Sequence, residues 1–270
     1  MYNSIHDLPE FVYFQYTFNF VSLLVFSSFF LIFVTSIVVI KMCYTYYWNK
    51  SASTVGHIHR NLFNCFVWME IANIFFFIFD NLVFRLPSTG ILTSPCAQIS
   101  PNHFLKVLYM LQLFTNYNSM FYSFLFCIIR LLIVYFPEKH EQYCYKLFKV
   151  YIPLTIVLPI LFDSFMIPAL GYCRILHGPY SFGAIFISFT ETWLDLRTDP
   201  MHLPLSLGFP VLIVTVNVAL FVSLLFRDVS AYVLLVRCPL TDIAMILVPW
   251  IFYLSHPLFS KKSQVHASST

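Results

Sequence analysis

Residues 18–40, FNFVSLLVFSSFFLIFVTSIVVI, run from Phe18 to Ile40 without a charged side chain. A helix rises about 1.5 Å per residue, so a stretch of this length exceeds the roughly 30 Å of hydrocarbon in a bilayer. The apolar character is near-continuous, where an outer-membrane strand would alternate over about ten residues. The run is too long for the core of a cleaved signal. It also lacks a basic flank before it and follows Asp7 and Glu10, so it reads as an uncleaved membrane anchor.

Outward from this stretch, the same length test finds runs at 61–84, 107–136, 148–170 and 203–226, and a shorter one at 243–259 that suffices if little tilted. Between the last two, the longest apolar run is 229–236, which as a helix covers only about 12 Å. The expected fold class is all-α, a polytopic helical membrane protein with six spans. It is organised as an extracellular segment 1–17, a transmembrane domain 18–259 and a tail 260–270.

Composition agrees. Hydrophobic residues make up 59% of the 270 and charged residues 10%, against roughly 25% charged in soluble domains, which excludes a water-soluble globule and a disordered chain. The net charge of +3 comes from scattered residues and offers no nucleic-acid surface. Lys41, Lys50, Arg60, Arg130, Lys139, Lys146 and Lys149 fall on one side of the spans, while Arg85, Lys106, Arg174 and Arg197 fall on the other. The positive-inside rule then places the amino terminus outside. Six spans would leave the tail 260–270 outside too. The final run is flanked by Arg227 and Arg237 before and Lys261 and Lys262 after, so its own charges do not orient it. The acceptor sequon at Asn49 falls on the inner side, where it would stay unmodified.

No internal repeat or matched pair of broken helices points to a transporter. Pro153, Pro159, Pro168, Pro210, Pro249 and Pro257 each remove a backbone donor and are expected to bend their spans. Cys96 and Cys173 are the only cysteines in segments assigned firmly to the outside; they either form a disulfide or stand as two free thiols. Cys43 and Cys144 lie near the inner boundary, as acylation sites or as unmodified thiols.

Three acids inside the spans need a reason to be there. Glu70, the deepest on its span, reads as an internal hydrogen-bonded or protonated carboxyl in preference to a ligand contact. Asp80 lies one turn from the outer end and reaches water, while Asp163 pairs with polar groups across spans. Arg130, at the inner part of the third span, either snorkels to the interface or presents its guanidinium to a partner. Depth alone nominates Tyr109, Gln112 and Phe165 for a ligand lining. The chain has no P-loop, GxGxxG, GxSxG or HExxH signature, so neither catalysis nor a cofactor is expected. His57 and His59, flanking Ile58, are too few for a metal site.

Several stretches resemble one family. They are Arg85-Leu86-Pro87-Ser88-Thr89-Gly90 followed by Cys96 and Pro101-Asn102-His103-Phe104, then Arg130 with Phe136 and Pro137. Further on come Ile167-Pro168-Ala169-Leu170-Gly171-Tyr172-Cys173-Arg174, Gly178-Pro179-Tyr180-Ser181-Phe182-Gly183, and 248–257, VPWIFYLSHP. Together they resemble the nematode chemosensory seven-helix receptors of serpentine receptor class U. The resemblance implies a GPCR-like bundle in the plasma membrane, in sensory cilia, that binds a small-molecule odorant or pheromone and signals to a heterotrimeric G protein. It also implies an outer disulfide between Cys96 and Cys173, a partner-facing Arg130 and a switch role for Pro257. The chain departs from the family between 226 and 243, where a third inner loop and a sixth helix are expected and only a short segment stands. Two rival readings follow: a non-signalling truncated receptor copy, and an oligomeric ion pathway lined by Glu70 and Asp163.

Overall fold

The structure, a computed structural model, describes residues 4–48, 60–176, 180–190, 192 and 198–225. A single turn, α1 (Pro9–Val12), precedes α2 (Phe20–Trp48), which the charge-free stretch forms. Next comes α3 (Arg60–Asp80), continued by a π-helical segment (Asn81–Arg85) and a turn, α4 (Leu86–Ser88), and then the short α5 (Thr93–Gln98). α6 (His103–Tyr135) and α7 (His140–Asp163) follow, and α7 runs into a 3₁₀ turn (Ser164–Met166). Two strands, β1 (Gly171–Ile175) and β2 (Ile185–Phe189), come before α8 (Thr198–Leu225).

Among the described residues, four helical stretches are long and apolar enough to cross a membrane: Phe20–Trp48, Arg60–Ser88, His103–Tyr135 and His140–Met166. They overlie the first four expected spans. α8 overlies the fifth, with Leu207–Phe221 as a shorter apolar helix, while 243–259 and the tail lie outside the described residues. Of the six expected spans, four are of full length among the described residues. Helix starts follow polar signals more than hydropathy. Asn19 Oδ1 accepts the Ser22 N–H at 2.8 Å and Asn102 Oδ1 accepts the Leu105 N–H at 2.9 Å, each capping the helix that follows. α7 continues through Pro153 and Pro159 as one helix.

The helical expectation is met in the long elements, and a two-stranded hairpin is added to it. β1 and β2 pair antiparallel, with Gly171 opposite Phe189, Cys173 opposite Ile187 and Ile175 opposite Ile185. Two short runs rich in aromatic and β-branched residues satisfy their backbone groups on each other, an outcome hydropathy averaging does not register. The amino-terminal segment adds to this sheet: Ser4 bridges to Arg174 and the Ile5 N–H donates to the Cys173 carbonyl at 3.2 Å.

The chain forms two compact units. The hairpin-bearing unit gathers Met1–Phe30, Ala72–Asn118 and Leu154–Met201, and its core contains Ile5, Phe11, Val83, Ala97, Leu105, Ile185 and Ile187. The second gathers Leu31–Ile71, Ser119–Pro153 and His202–Thr270, around Met42, Phe63, Phe66, Met69, Leu125, Phe126 and Ile129. Helix faces carry large apolar side chains in the open, such as Phe30 at 68%, Ile40 at 67% and Val150 at 68% exposure. Continuous exposure of this kind fits acyl chains rather than water.

Candidate functional site

Alternation along the hairpin puts Gly171, Cys173 and Ile175 on the same face as Phe189, Ile187 and Ile185. This face packs on α6 through Leu105, Leu108 and Tyr109. Gly171 makes the approach possible, because a Cβ there would lie 2.2 Å from the Lys106 backbone nitrogen. The Gly171 and Asn102 backbones exchange two hydrogen bonds, at 2.9 and 3.0 Å, so the start of β1 is fixed to the cap of α6. Cys173 is joined by a disulfide to Cys96 of α5, with 6.1 Å between Cα atoms, inside the usual range. Gly183, at φ +91°, has Phe14 against its open side, and its carbonyl accepts a hydrogen bond from the Thr93 hydroxyl.

This docking places Phe189 beside two residues nominated from depth. Its ring centroid lies 5.3 Å from that of Tyr109 and 6.4 Å from that of Phe165. Gln112, one turn beyond Tyr109 on α6, donates to Asp80 Oδ1 at 3.4 Å. Asp80 Oδ2 accepts from Arg85 Nε at 2.5 Å, and the guanidinium lies 5.4 Å from the centre of the Phe77 ring. The expectation that Asp80 simply reaches water is therefore corrected: the π-helical segment brings Arg85 back onto it. Lys106 Nζ donates to the Ile167 carbonyl at 2.7 Å.

Asp163, on the last turn of α7, is 2% exposed, and its Oδ1 has no hydrogen-bond partner among the described residues. The expected cross-span pairing is not made by that atom. In the second unit Glu70 is also 2% exposed, with Oε1 likewise unpartnered among the described residues. Of the hydrogen-bonded or protonated internal carboxyl expected there, the internal position is met and the hydrogen bond is not made at that oxygen. Arg130 is half-buried on α6, its guanidinium 5.6 Å from the centre of the Phe126 ring. Pro257, His57, His59 and Asn49 lie outside the described residues. Cys144 is fully buried, which removes it from the acylation reading, while Cys43 is half-buried. Among the described residues, no group of three or more His, Cys, Asp or Glu side chains is placed to hold a metal ion.

Sequence reasoning missed Phe189, Arg85 and Asn217. The alternation Ile185-Phe186-Ile187-Ser188-Phe189 after Gly178-Pro179 and Gly183 is a hairpin signal that could have found the first. Asn217 of α8 donates to the Cys127 thiol at 3.4 Å, a contact that no spacing announces.

The sequence model for serpentine-type seven-transmembrane GPCR chemoreceptors, Sru, matches residues 5–225 and 220–262. The chain belongs to this family. Sru proteins are receptors by that description, and the chain is a nematode-type membrane chemoreceptor homologue. A relative in Caenorhabditis elegans, serpentine receptor class U-26, is 40% identical over 121 residues, a match spanning 45% of this chain and 42% of the relative. The chain thus spans less than half the length of that curated relative in the match. No solved structure matches. Among the stretches that carried the resemblance, those within 85–104, 167–174 and 180–183 coincide with fixed points of the hairpin-bearing unit. Gly90 and Gly183 have positive φ, Asn102 caps α6, and Gly171 and Cys173 anchor β1.

Proposed function

We propose that the chain is a chemosensory G-protein-coupled receptor whose hairpin-bearing unit faces outward and takes a small molecule. Tyr109, Gln112 and Phe165 contribute to the lining, and Arg130 serves the G-protein side. The observation that carries this reading is Sru membership together with the convergence of Tyr109 and Phe165 on Phe189. A ligand seated against a strand pinned at Gly171 and Cys173 would bias two helix arrangements without covalent chemistry. The test is agonist-driven nucleotide exchange on a co-expressed heterotrimeric G protein, in a version carrying a complete third inner loop and sixth helix. Arg130→Ala is expected to leave surface levels nearly unchanged and to reduce exchange, with Arg130→Lys rescuing in part. Full exchange by Arg130→Ala would assign that arginine to snorkelling.

A second reading is favoured by one observation. The family match comes in two segments that meet at 220–225, and only the short apolar run 229–236 stands before 243. On this reading the chain is a non-signalling truncated copy lacking the helix whose outward swing exposes the G-protein site. The transcript sequence between the codons for Phe226 and Ile243 decides between the two, since an omitted exon encoding a further apolar span would restore the receptor.

A further inference from the structure

Within the hairpin-bearing unit, two carboxyls lie in the membrane-spanning helices, and they differ in what they are given. Asp80 is already answered by Arg85 Nε at 2.5 Å and Gln112 Nε2 at 3.4 Å. Asp163 is 2% exposed and leaves Oδ1 without a partner among the described residues. Buried polar atoms are nearly always hydrogen-bonded, and leaving a charged one unanswered is costlier than leaving a neutral one. Lys106, the base on the neighbouring stretch of α6, is committed to the Ile167 carbonyl at 2.7 Å.

The surroundings of Asp163 are aromatic. The ring of Tyr117 on α6 lies 5.6 Å from that of Phe162, the residue before Asp163. Two residues beyond Asp163, Phe165 meets Phe189, which also meets Tyr109. A buried carboxyl with an unpartnered acceptor, flanked in sequence by Phe162 and Phe165 of this aromatic cluster, disfavours anions. It offers a cation both Coulombic and cation–π attraction.

We propose that the ligand of this unit carries a protonated amine, with Asp163 as its counter-ion and Tyr109, Tyr117 and Phe189 as the aromatic walls around it. An ammonium brings donors to the unanswered Oδ1, whereas a neutral alcohol supplies a hydrogen bond without the charge. This assignment rests on the chemoreceptor reading and names the chemical class of its ligand. Asp80, neutralised by Arg85, is not the counter-ion.

The test needs no G protein. The full chain in lipid nanodiscs is titrated with 2-phenylethylamine and cyclohexylmethylamine, and with their neutral counterparts 2-phenylethanol and cyclohexylmethanol, while thermal unfolding is followed. At least one amine is expected to raise Tm saturably, and more than its alcohol. Asp163→Asn, nearly isosteric, should weaken the apparent affinity for that amine on the order of 100-fold, as expected when one partner of a buried charge pair is removed. Asp163→Glu, which keeps the charge, should retain part of the effect, and Glu70→Gln, in the other unit, should bind as wild type does. Equal amine affinity in wild type and Asp163→Asn overturns the proposal, as does stabilisation by the alcohols alone or no stabilisation by either amine. The receptor reading is judged separately by G-protein exchange, so its failure is distinguishable from failure of the counter-ion.

Discussion

Gly171 and Gly208 show how differently the two units are built. A Cβ on Gly171 would lie 2.2 Å from the Lys106 nitrogen and 2.5 Å from the Leu105 carbonyl carbon, whereas a Cβ on Gly208 meets nothing within 4 Å. In the hairpin-bearing unit, backbone meets backbone, and positions are set by directional bonds. Examples are the Asn102–Gly171 pair, Ile5 on Cys173, the Ser94 hydroxyl on the Val12 carbonyl, and the disulfide. The second unit rests on apolar volume, with Phe63 stacked 3.8 Å from Tyr46 and tilted against Phe66 at 6.2 Å, among Met42, Met69 and Leu125. Directional contacts tolerate little change, while apolar packing between helices in lipid tolerates swaps of similar volume. On the proposed function, a unit that holds a ligand wall in place would suit the first style, and one whose helices shift would suit the second.

The largest effect is expected at the disulfide. It closes a loop of 77 residues, for which chain entropy gives about 4 kcal/mol. Replacing Cys96 or Cys173 by Ala should lower surface expression equally, and replacing both should cost little more than either alone, because the two act as one element. Two free thiols recovered from a nonreduced digest would remove this pin from the comparison. Gly171→Ala comes next, at about 3 kcal/mol, since the obstructing atoms are backbone and cannot rotate away. It should lower the thermal midpoint clearly, and a midpoint unchanged from wild type would mean that the hairpin is not seated on α6.

Asn102→Ala removes the oxygen that caps α6 and should cost about 1 kcal/mol in the same assay. The smallest effect, and one of opposite sign, is expected for Gly208→Ala at an open position of α8, which should be neutral or stabilising by a few tenths of a kcal/mol up to about 1. Gly171→Ala and Gly208→Ala with equal effects would erase the distinction between the units.

Spans were legible because hydropathy responds to burial in lipid, which all side chains of a run such as 18–40 share. The hairpin was not, because the short runs 171–175 and 185–189 satisfy their backbones on each other, and an averaging window of span length blurs them. Depth nominated Tyr109 and Phe165, but Phe189 gains its place only through the register that sets it opposite Gly171. Arg85 was legible as a charge and not as the partner of Asp80, since the π-helical segment shifts it around the helix. The folded amino terminus was equally hidden. Ile5 is fully buried because its segment bridges to β1, in a hairpin that sequence reading did not foresee.

The account turns on the hairpin-bearing unit facing outward, and the amino terminus reports on it because Ser4 bridges to Arg174 of β1. A glycosylation-acceptor tag fused ahead of Met1 tests this most directly, with the glycan read by a mobility shift that a glycosidase reverses. The account predicts a glycosylated tag, labelled by antibody on intact cells. An unglycosylated tag, reached by antibody only after permeabilisation on a protein that has arrived at the plasma membrane, would contradict it.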